Sequence, residues 1–290
     1  LQGLLVIDTT IEAETGEGQC HGATLCGRFP GVSDVLRGRQ ALVTGSTGGI
    51  GLAVARRLAA DGCAVVLHGL AGEAEGDAAA EAIARETGSA ARYLRADLSR
   101  PEEIAGLLGA AGELDILVNN AASVRHFAPV DAMPPEHWDL DVAVNLSAAF
   151  HTIRLALPGM RSRGWGRIVN MSSIYGLVGA ADRIGYVVTK TGLIGMTRAV
   201  ALETVRQGIT CNALCPGTTL TPGIEERIAG LVAGGLDPAA ATEAVLRGKQ
   251  PTGRFVEAGA VADLVAFLCG PAARDVTGAA FPVDGGWSAA

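Results

Sequence analysis

Tyr186 and Lys190 are four residues apart, and a helix through them would set both side chains on one face, a turn from each other. A phenol normally titrates near ~10, and an ammonium beside it favours phenolate, so such a pair can exchange a proton near neutrality. Ser173 lies upstream, with twelve residues between it and Tyr186. Its hydroxyl could hold a carbonyl or alcohol oxygen while the phenol exchanges the proton. A Tyr-x-x-x-Lys pair alone also arises by coincidence on surfaces, so the elements that carry these residues decide its meaning.

Those elements are legible from hydrophobic patterning. Ser173 follows an apolar run, residues 167–171, that reads as a buried strand leaving a sheet. Near the start, Gln40–Val43 reads as a short buried strand, followed by the turn Thr44-Gly45-Ser46-Thr47-Gly48-Gly49-Ile50-Gly51 and a helical run, residues 52–62. Strand, glycine-rich turn and helix in that order point to a dinucleotide. Glycines let the backbone approach the ligand, and the N–H groups at a helix start attract phosphate. Further strands are expected at residues 64–68, 92–96, 115–118, 208–214 and 280–284. Helices are expected at 73–87, 135–163, from Tyr186 to about Arg206, and 257–270. Strands alternate with helices throughout, which predicts an α/β fold: one Rossmann-like, doubly wound parallel sheet of about seven strands. Two short helices between Thr221 and Gly248 follow a strand's carboxyl end, where a small helical lid over a crevice would sit.

Several single residues carry a reading. Asn145 sits in the middle of a helical pattern that it disfavours, so its side chain kinks the helix, holds a water, or is exposed. Asp97, at a strand's end, either caps the next helix or meets an adenine amino group. Asn119 and Asn120 can lock neighbouring turns of the sheet. The second strand ends Gly69-Leu70, without the acidic residue that often holds an adenosine ribose. No arginine stands there either, and Gly48 occupies the loop position where one could meet a 2′-phosphate. The missing cations favour NAD over NADP. Arg56 and Arg57 read as solvated.

The bulk numbers agree with one large enzyme-like domain. Of 290 residues, 49% are hydrophobic and only 18% charged, enough for a substantial core. The net charge of −7 argues against a nucleic-acid surface. No unbroken apolar run reaches the ~18 residues of a membrane span. The six cysteines show no disulfide framework, as expected of reduced thiols in the cytoplasm. Residues 1–37, rich in Gly and polar types, read as a poorly ordered extension ahead of a domain at 38–290. Cys20, His21 and Cys26 lack a fourth ligand and a zinc-type spacing, so no metal is expected.

With TGSTGGIG at 44–51, NNAA at 119–122, Asn145, Ser173, Tyr186, Lys190 and CPG at 215–217, the chain resembles the short-chain dehydrogenase/reductase family over residues 38–290. The family's usual NNAG is altered at Ala122, which touches only close packing. The resemblance implies Tyr186 as general acid/base, Lys190 as the group that lowers its pKa and binds the nicotinamide ribose, and Ser173 as the group that polarises the substrate oxygen. It implies that Asn145 holds a water linking Lys190 to solvent. Gly45, Thr47, Gly49, Ile50 and Gly51 would cradle the pyrophosphate, Asp97 and Leu98 would meet adenine, and Asn119 and Ala121 would lie at the adenosine ribose. Pro216, Gly217, Thr219 and Thr221 would line the nicotinamide end. A homotetramer, with the Tyr186 helix pairing across a symmetry axis, is also implied. The stretch Leu193-Ile194-Met196 suits either that interface or ordinary core.

Within the family the chain is similar to the bacterial D-3-hydroxybutyrate dehydrogenases, through NLSAAFH at 145–151, ALETVRQGITCNALCPG at 201–217, LTPGIEERI at 220–228, KQPTGRFV at 249–256 and the ending VDGGWSA. Those enzymes use NAD and hold a small carboxylate. The departures fall in the substrate pocket. Tyr175 stands where they have His, Arg183 where they have Lys, Arg227 where they have a lid Gln, and Thr218 where they have Trp. The segment 123–126 is one residue longer, so the family's Gln there has no counterpart. Arg183 and Arg227 could clamp a carboxylate through their guanidinium forks. The expected activity is therefore NAD-dependent oxidation of a small 3-hydroxy acid. The alternatives are a reductase of 3-oxoacyl thioesters or sugars and, in another class, a non-catalytic dinucleotide sensor.

Overall fold

The computed structural model describes residues 35–123 and 126–290. The readings made on residues 1–34, including Cys20, His21 and Cys26, lie outside the described residues. The elements run β1 (Gln40–Val43), α1 (Gly49–Ala60), β2 (Ala64–Gly69), α2 (Glu73–Thr87), β3 (Ala91–Arg95), α3 (Pro101–Ala111), β4 (Ile116–Asn119), α4 (Pro135–Val142), a π-turn (Ala143–Ser147), α5 (Ala148–Arg163), β5 (Gly166–Met171), α6 (Ile184–Thr204), β6 (Ile209–Pro216), α7 (Pro222–Ala233), α8 (Pro238–Leu246), α9 (Ala258–Cys269) and β7 (Ala280–Val283). The strands form one parallel sheet in the order β3-β2-β1-β4-β5-β6-β7. The doubly wound α/β expectation holds.

Strand alternation sorts the apolar side chains into two cores, one on each face. Ala41 and Val43 of β1, Ile116 and Val118 of β4, and Val169 and Met171 of β5 face the side covered by α1 and α9. Leu42, Leu117 and Ile168, which alternate with them along the strands, face the side covered by α3 and α5. Leu36, upstream of the boundary expected at residue 38, is buried in the first of these cores and donates its N–H to the Asp61 carbonyl.

The structure adds local detail to these expectations. The helix expected over 135–163 runs unbroken, with a π-turn inside it at Asn145, which is 2% exposed. By length and composition Pro135–Arg163 is apolar enough to cross a membrane, but Ala149, Ile153, Leu157 and Met160 of α5 are buried in the fold. Leu193 and Ile194 are core residues, the second of the two readings left open for them. The exposed large apolar residues on α5 and α6 are Phe150, Val188 and Leu202, with Val205 just after α6. Arg56 is exposed, as the solvated reading had it, and pairs at the surface with Glu86, while the half-buried Arg57 pairs with Asp61 and Asp263.

The strand order reverses between β1 and β4, where a crevice opens at the strands' carboxyl ends. Here the backbone is as close as it can be. A Cβ on Gly45 would lie 2.8 Å from Ala121 Cα, and one on Gly51 would lie 2.2 Å from the Gly45 carbonyl oxygen and 2.5 Å from Asn120 Nδ2. Asn120 donates through Nδ2 to the carbonyls of Thr44 and Gly45, at 2.9 Å each, and Thr44 Oγ1 accepts from Asn120 N–H. Gly51→Ala should therefore displace the turn and lower stability by about 1–3 kcal/mol. Chemical denaturation reads this, and an unchanged unfolding midpoint would contradict the close approach.

Candidate active site

A cleft of about 920 Å3 opens at this crevice and runs from the turn after β1 to the start of α6. Its walls bring together Gly45, Thr47, Gly49, Ile50, Gly51, Asp97, Leu98, Ala121, Ser173, Tyr175, Arg183, Tyr186, Lys190, Pro216, Gly217, Thr219, Thr221 and Arg227. Of the residues expected at the site, Asn119 and Asn145 are the two outside these walls.

At one end, α1 begins at Gly49 with no side chain capping its first N–H groups. A Cβ on Gly48 would meet nothing within 4 Å, so the floor of the turn is open space. Gly49, with φ 55°, takes a left-handed conformation that glycine adopts readily. Uncapped helix N–H groups in an open glycine cradle fit the pyrophosphate of a dinucleotide. Thr221, the residue before α7, lies across from this turn, and a Cβ on Gly49 would sit 3.4 Å from its Cγ2. Asp97 folds its carboxylate back onto the Ser99 N–H and hydroxyl, at 2.9 and 2.8 Å. These bonds hold it below the usual carboxylate range. It lines the cleft and does not cap α3, whose N-cap is Arg100.

Asn119 is turned into the sheet. It donates to Asn170 Oδ1 at 2.9 Å and accepts from Thr152 Oγ1 at 2.7 Å, and Asn170 donates on to Thr197. This is the locking role that two amides at a strand end allowed, and Asn120 is the amide at the cleft. Asn145 accepts from Ser123 N–H at 2.6 Å and donates to the Ser123 carbonyl at 2.9 Å. It thus pins the chain after β4 to the π-turn.

At the other end, Tyr186 and Lys190 share one face of α6, with Lys190 Nζ 5.5 Å from the Tyr186 ring centroid. The Ser173 hydroxyl is close enough to the phenol to act on its ionisation. It also accepts from the Tyr175 N–H at 3.2 Å, which fixes its position. Burial pushes the Tyr186 phenol up, while the Ser173 hydroxyl and the Arg183 charge pull it down. Lys190 is 2% exposed and donates to the Met171 carbonyl at 2.8 Å. Burial lowers its ammonium to about 8. Arg183 is thus a contributor to phenolate that the sequence did not assign to that role.

Three cleft residues were missed. His68 is buried at the end of β2; its Nδ1 accepts from Gly45 N–H at 3.2 Å and its Nε2 meets the Ala96 carbonyl at 3.0 Å. These partners assign the proton to Nε2. Burial lowers its pKa, so the ring is a neutral strut between the glycine turn and β3. Its place in an apolar strand gave no sign of this. Lys249 and Trp287 come from the segments after α8 and β7. Only the folded chain carries them to Tyr175, whose ring stands edge-on to Trp287 at 5.4 Å.

A switch-point glycine cradle joined to a serine–tyrosine–lysine cluster defines an oxidoreductase that works with a nicotinamide dinucleotide. The chain belongs to the short-chain dehydrogenase/reductase family. A family model described as enoyl-(acyl carrier protein) reductase matches residues 45–288. The chain is 44% identical to a D-beta-hydroxybutyrate dehydrogenase of Cupriavidus necator, over 88% of this chain and 100% of that one. It is 40% identical to the enzyme of that name from Rhizobium meliloti, over 87% of this chain and 99% of that one. Among solved structures it is similar to a putative 2-deoxy-D-gluconate 3-dehydrogenase of Agrobacterium tumefaciens with bound NADP. That similarity has a TM-score of 0.77 and 34% identity, covering 88% of this chain and 98% of that one.

The buried ammonium makes a measurable prediction. Below about pH 8 Lys190 is charged in both the folded and the unfolded chain. Between about 8 and the ordinary lysine value of 10.5 the folded chain has released a proton that the unfolded chain keeps, so stability rises over that window. Lys190→Met carries no charge and gains nothing there. From about pH 7 to pH 10.5 its stability relative to the native chain should fall by about 2–4 kcal/mol. Denaturant unfolding at the two pH values reads this, and a pH-independent difference would mean that Lys190 keeps its ordinary pKa.

Proposed function

We propose that this protein is an NAD-dependent dehydrogenase of a small 3-hydroxy acid, interconverting a compound such as D-3-hydroxybutyrate with its 3-oxo acid. The observation that carries this reading is the placement of charge in the cleft. Its arginines and lysines, Arg183, Lys190, Arg227 and Lys249, all stand toward the Ser173–Tyr186 end. At the end of β2 the walls are His68, Gly69 and Leu70, with Thr47 against Gly69. An anionic substrate suits the first end, and an adenosine ribose without a 2′-phosphate suits the second. The names carried by the Cupriavidus and Rhizobium relatives support the same substrate class.

The chain's own groups then divide the work. The Gly45–Gly51 turn and the start of α1 bind the pyrophosphate through backbone N–H groups, and Asp97, Leu98 and Ala121 flank the adenosine. Pro216, Gly217, Thr219 and Thr221 flank the nicotinamide. When bound, the nicotinamide supplies the acceptor for the hydride that leaves the carbinol carbon. Ser173 donates a hydrogen bond to the substrate oxygen and fixes it against Tyr186. Tyr186 takes the hydroxyl proton at Oη as the carbonyl forms, and returns it in the reverse direction. Lys190 and Arg183 add positive charge near the phenol and favour its phenolate. Arg183 and Arg227 orient the acid through the carboxylate.

Reduction of NAD by purified protein with (R)- and (S)-3-hydroxybutyrate tests the reading. Turnover of one enantiomer is expected, with Tyr186→Phe lowering kcat about 10²–10⁴-fold. Arg183→Ala is expected to raise KM about 10–100-fold, the loss of a charge-assisted contact. Activity confined to uncharged alcohols or sugars would overturn the acid assignment. For the cofactor, kcat/KM with NAD should exceed that with NADP. Leu70→Arg, which places a cation at the end of β2, should narrow the gap by about tenfold. A native preference for NADP would reject this reading.

A further inference from the structure

The substrate end of the cleft carries more positive charge than one carboxylate requires. Arg183, Arg227 and Lys249 all line it, and the acidic residue beside them is Glu226, exposed on α7. Among the described residues no carboxylate lies within ion-pair distance of any of the three cations. They are near enough to feel one another: the charges of Arg227 and Arg183 help burial to lower the Lys249 ammonium. Like charges gathered without counter-charges are unfavourable in the free protein and become favourable when an anion arrives.

The cations are also spaced along a wall. The Arg183 guanidinium lies 5.2 Å from the Tyr175 ring centroid and 4.2 Å from that of Phe127. Tyr175 meets Trp287 edge-on at 5.4 Å, and Lys249 Nζ lies 6.0 Å from the Trp287 ring. Tyr175, beside Arg183, and Trp287, beside Lys249, thus connect the two cations by contact. Tyr186 stands edge-on to Tyr175 at 6.2 Å, beside the middle of this wall. Lys249 is itself held in place, donating to the Val245 carbonyl at 2.6 Å. A chain with an anion at each end and its alcohol carbon between them matches this order of cation, ring, ring, cation.

We infer that the preferred substrate is a dianion, a short 3-hydroxy dicarboxylate, held at one end by Arg183 and at the other by Lys249 with Arg227. This rests on the proposed 3-hydroxy acid reading and extends it. The alcohol is oxidised to the ketone, the hydride passes to NAD and the proton to Tyr186, as for the monocarboxylate.

The test compares 3-hydroxyglutarate with its monomethyl ester, which keeps the length and loses one charge, and with 3-hydroxybutyrate. With NAD the diacid should exceed the monoester in kcat/KM by about tenfold, the worth of one charge-assisted contact. In Lys249→Met that ratio should fall to near one. Equal kcat/KM for diacid and monoester, or a ratio that survives Lys249→Met, overturns the inference while leaving the 3-hydroxy acid reading intact. If none of the three acids is oxidised but a sugar or neutral alcohol is, the 3-hydroxy acid reading fails. Binding then decides the dianion site separately, by quenching of tryptophan fluorescence in the presence of NADH. Tighter binding of the diacid than of the monoester, lost in Lys249→Met, upholds the site; equal binding rejects it.

Discussion

The close approach of two backbone turns is the constraint on which the rest of this structure depends. The turn after β1 and the turn after β4 touch at Gly45 and Ala121, with no room for a side chain between them. That contact is possible because β1 and β4 are neighbours at the point where the sheet reverses its order. Asn120 holds it by bonding the carbonyls of Thr44 and Gly45, and His68 holds it from the other side through the Gly45 N–H. With the turns fixed, the uncapped start of α1 faces an open floor, and that floor is one end of the cleft.

The opposite end depends on burial. Lys190 is a cation almost wholly removed from water, and its hydrogen bond to Met171 joins the last residue of β5 to α6. The same strand end leads into Ser173, so the hydroxyl, phenol and ammonium are placed by one strand and one helix. A desolvated ammonium is readily deprotonated. Arg183, at the N-cap of the same helix, is a second charge close to the phenol. In the proposed reading Arg183 therefore bears on two tasks, the electrostatics of Tyr186 and the recognition of an anion.

Much of this was open to reading because the signals are local. The glycine-rich turn, the Tyr-x-x-x-Lys pair and the alternation of strand and helix each occupy a short window, and each follows from backbone periodicity or from glycine's conformational range. The π-turn was not legible in the same way. The propensity of Asn145 flagged an anomaly, but its partner is the main chain of Ser123, twenty-two residues away, which no local pattern reveals. Asn119 was read as a ligand contact from resemblance and as a sheet lock from its chemistry. Its side-chain partners Asn170 and Thr152 accord with the second.

The sequence by itself determined the doubly wound sheet, the glycine cradle and the order of chemical groups along the chain, because these depend on residue types at fixed short spacings. Tertiary structure alone decided which charges meet. Arg183 lies at the start of α6, Arg227 on α7 and Lys249 after α8, and nothing in their spacing says that they share a wall with Tyr175 and Trp287. Their meeting depends on where the segments after β6 and β7 return across the carboxyl ends of the strands. Electrostatic energy depends on distance through space, so the charge of the substrate end belongs to the fold and could not be counted along the chain.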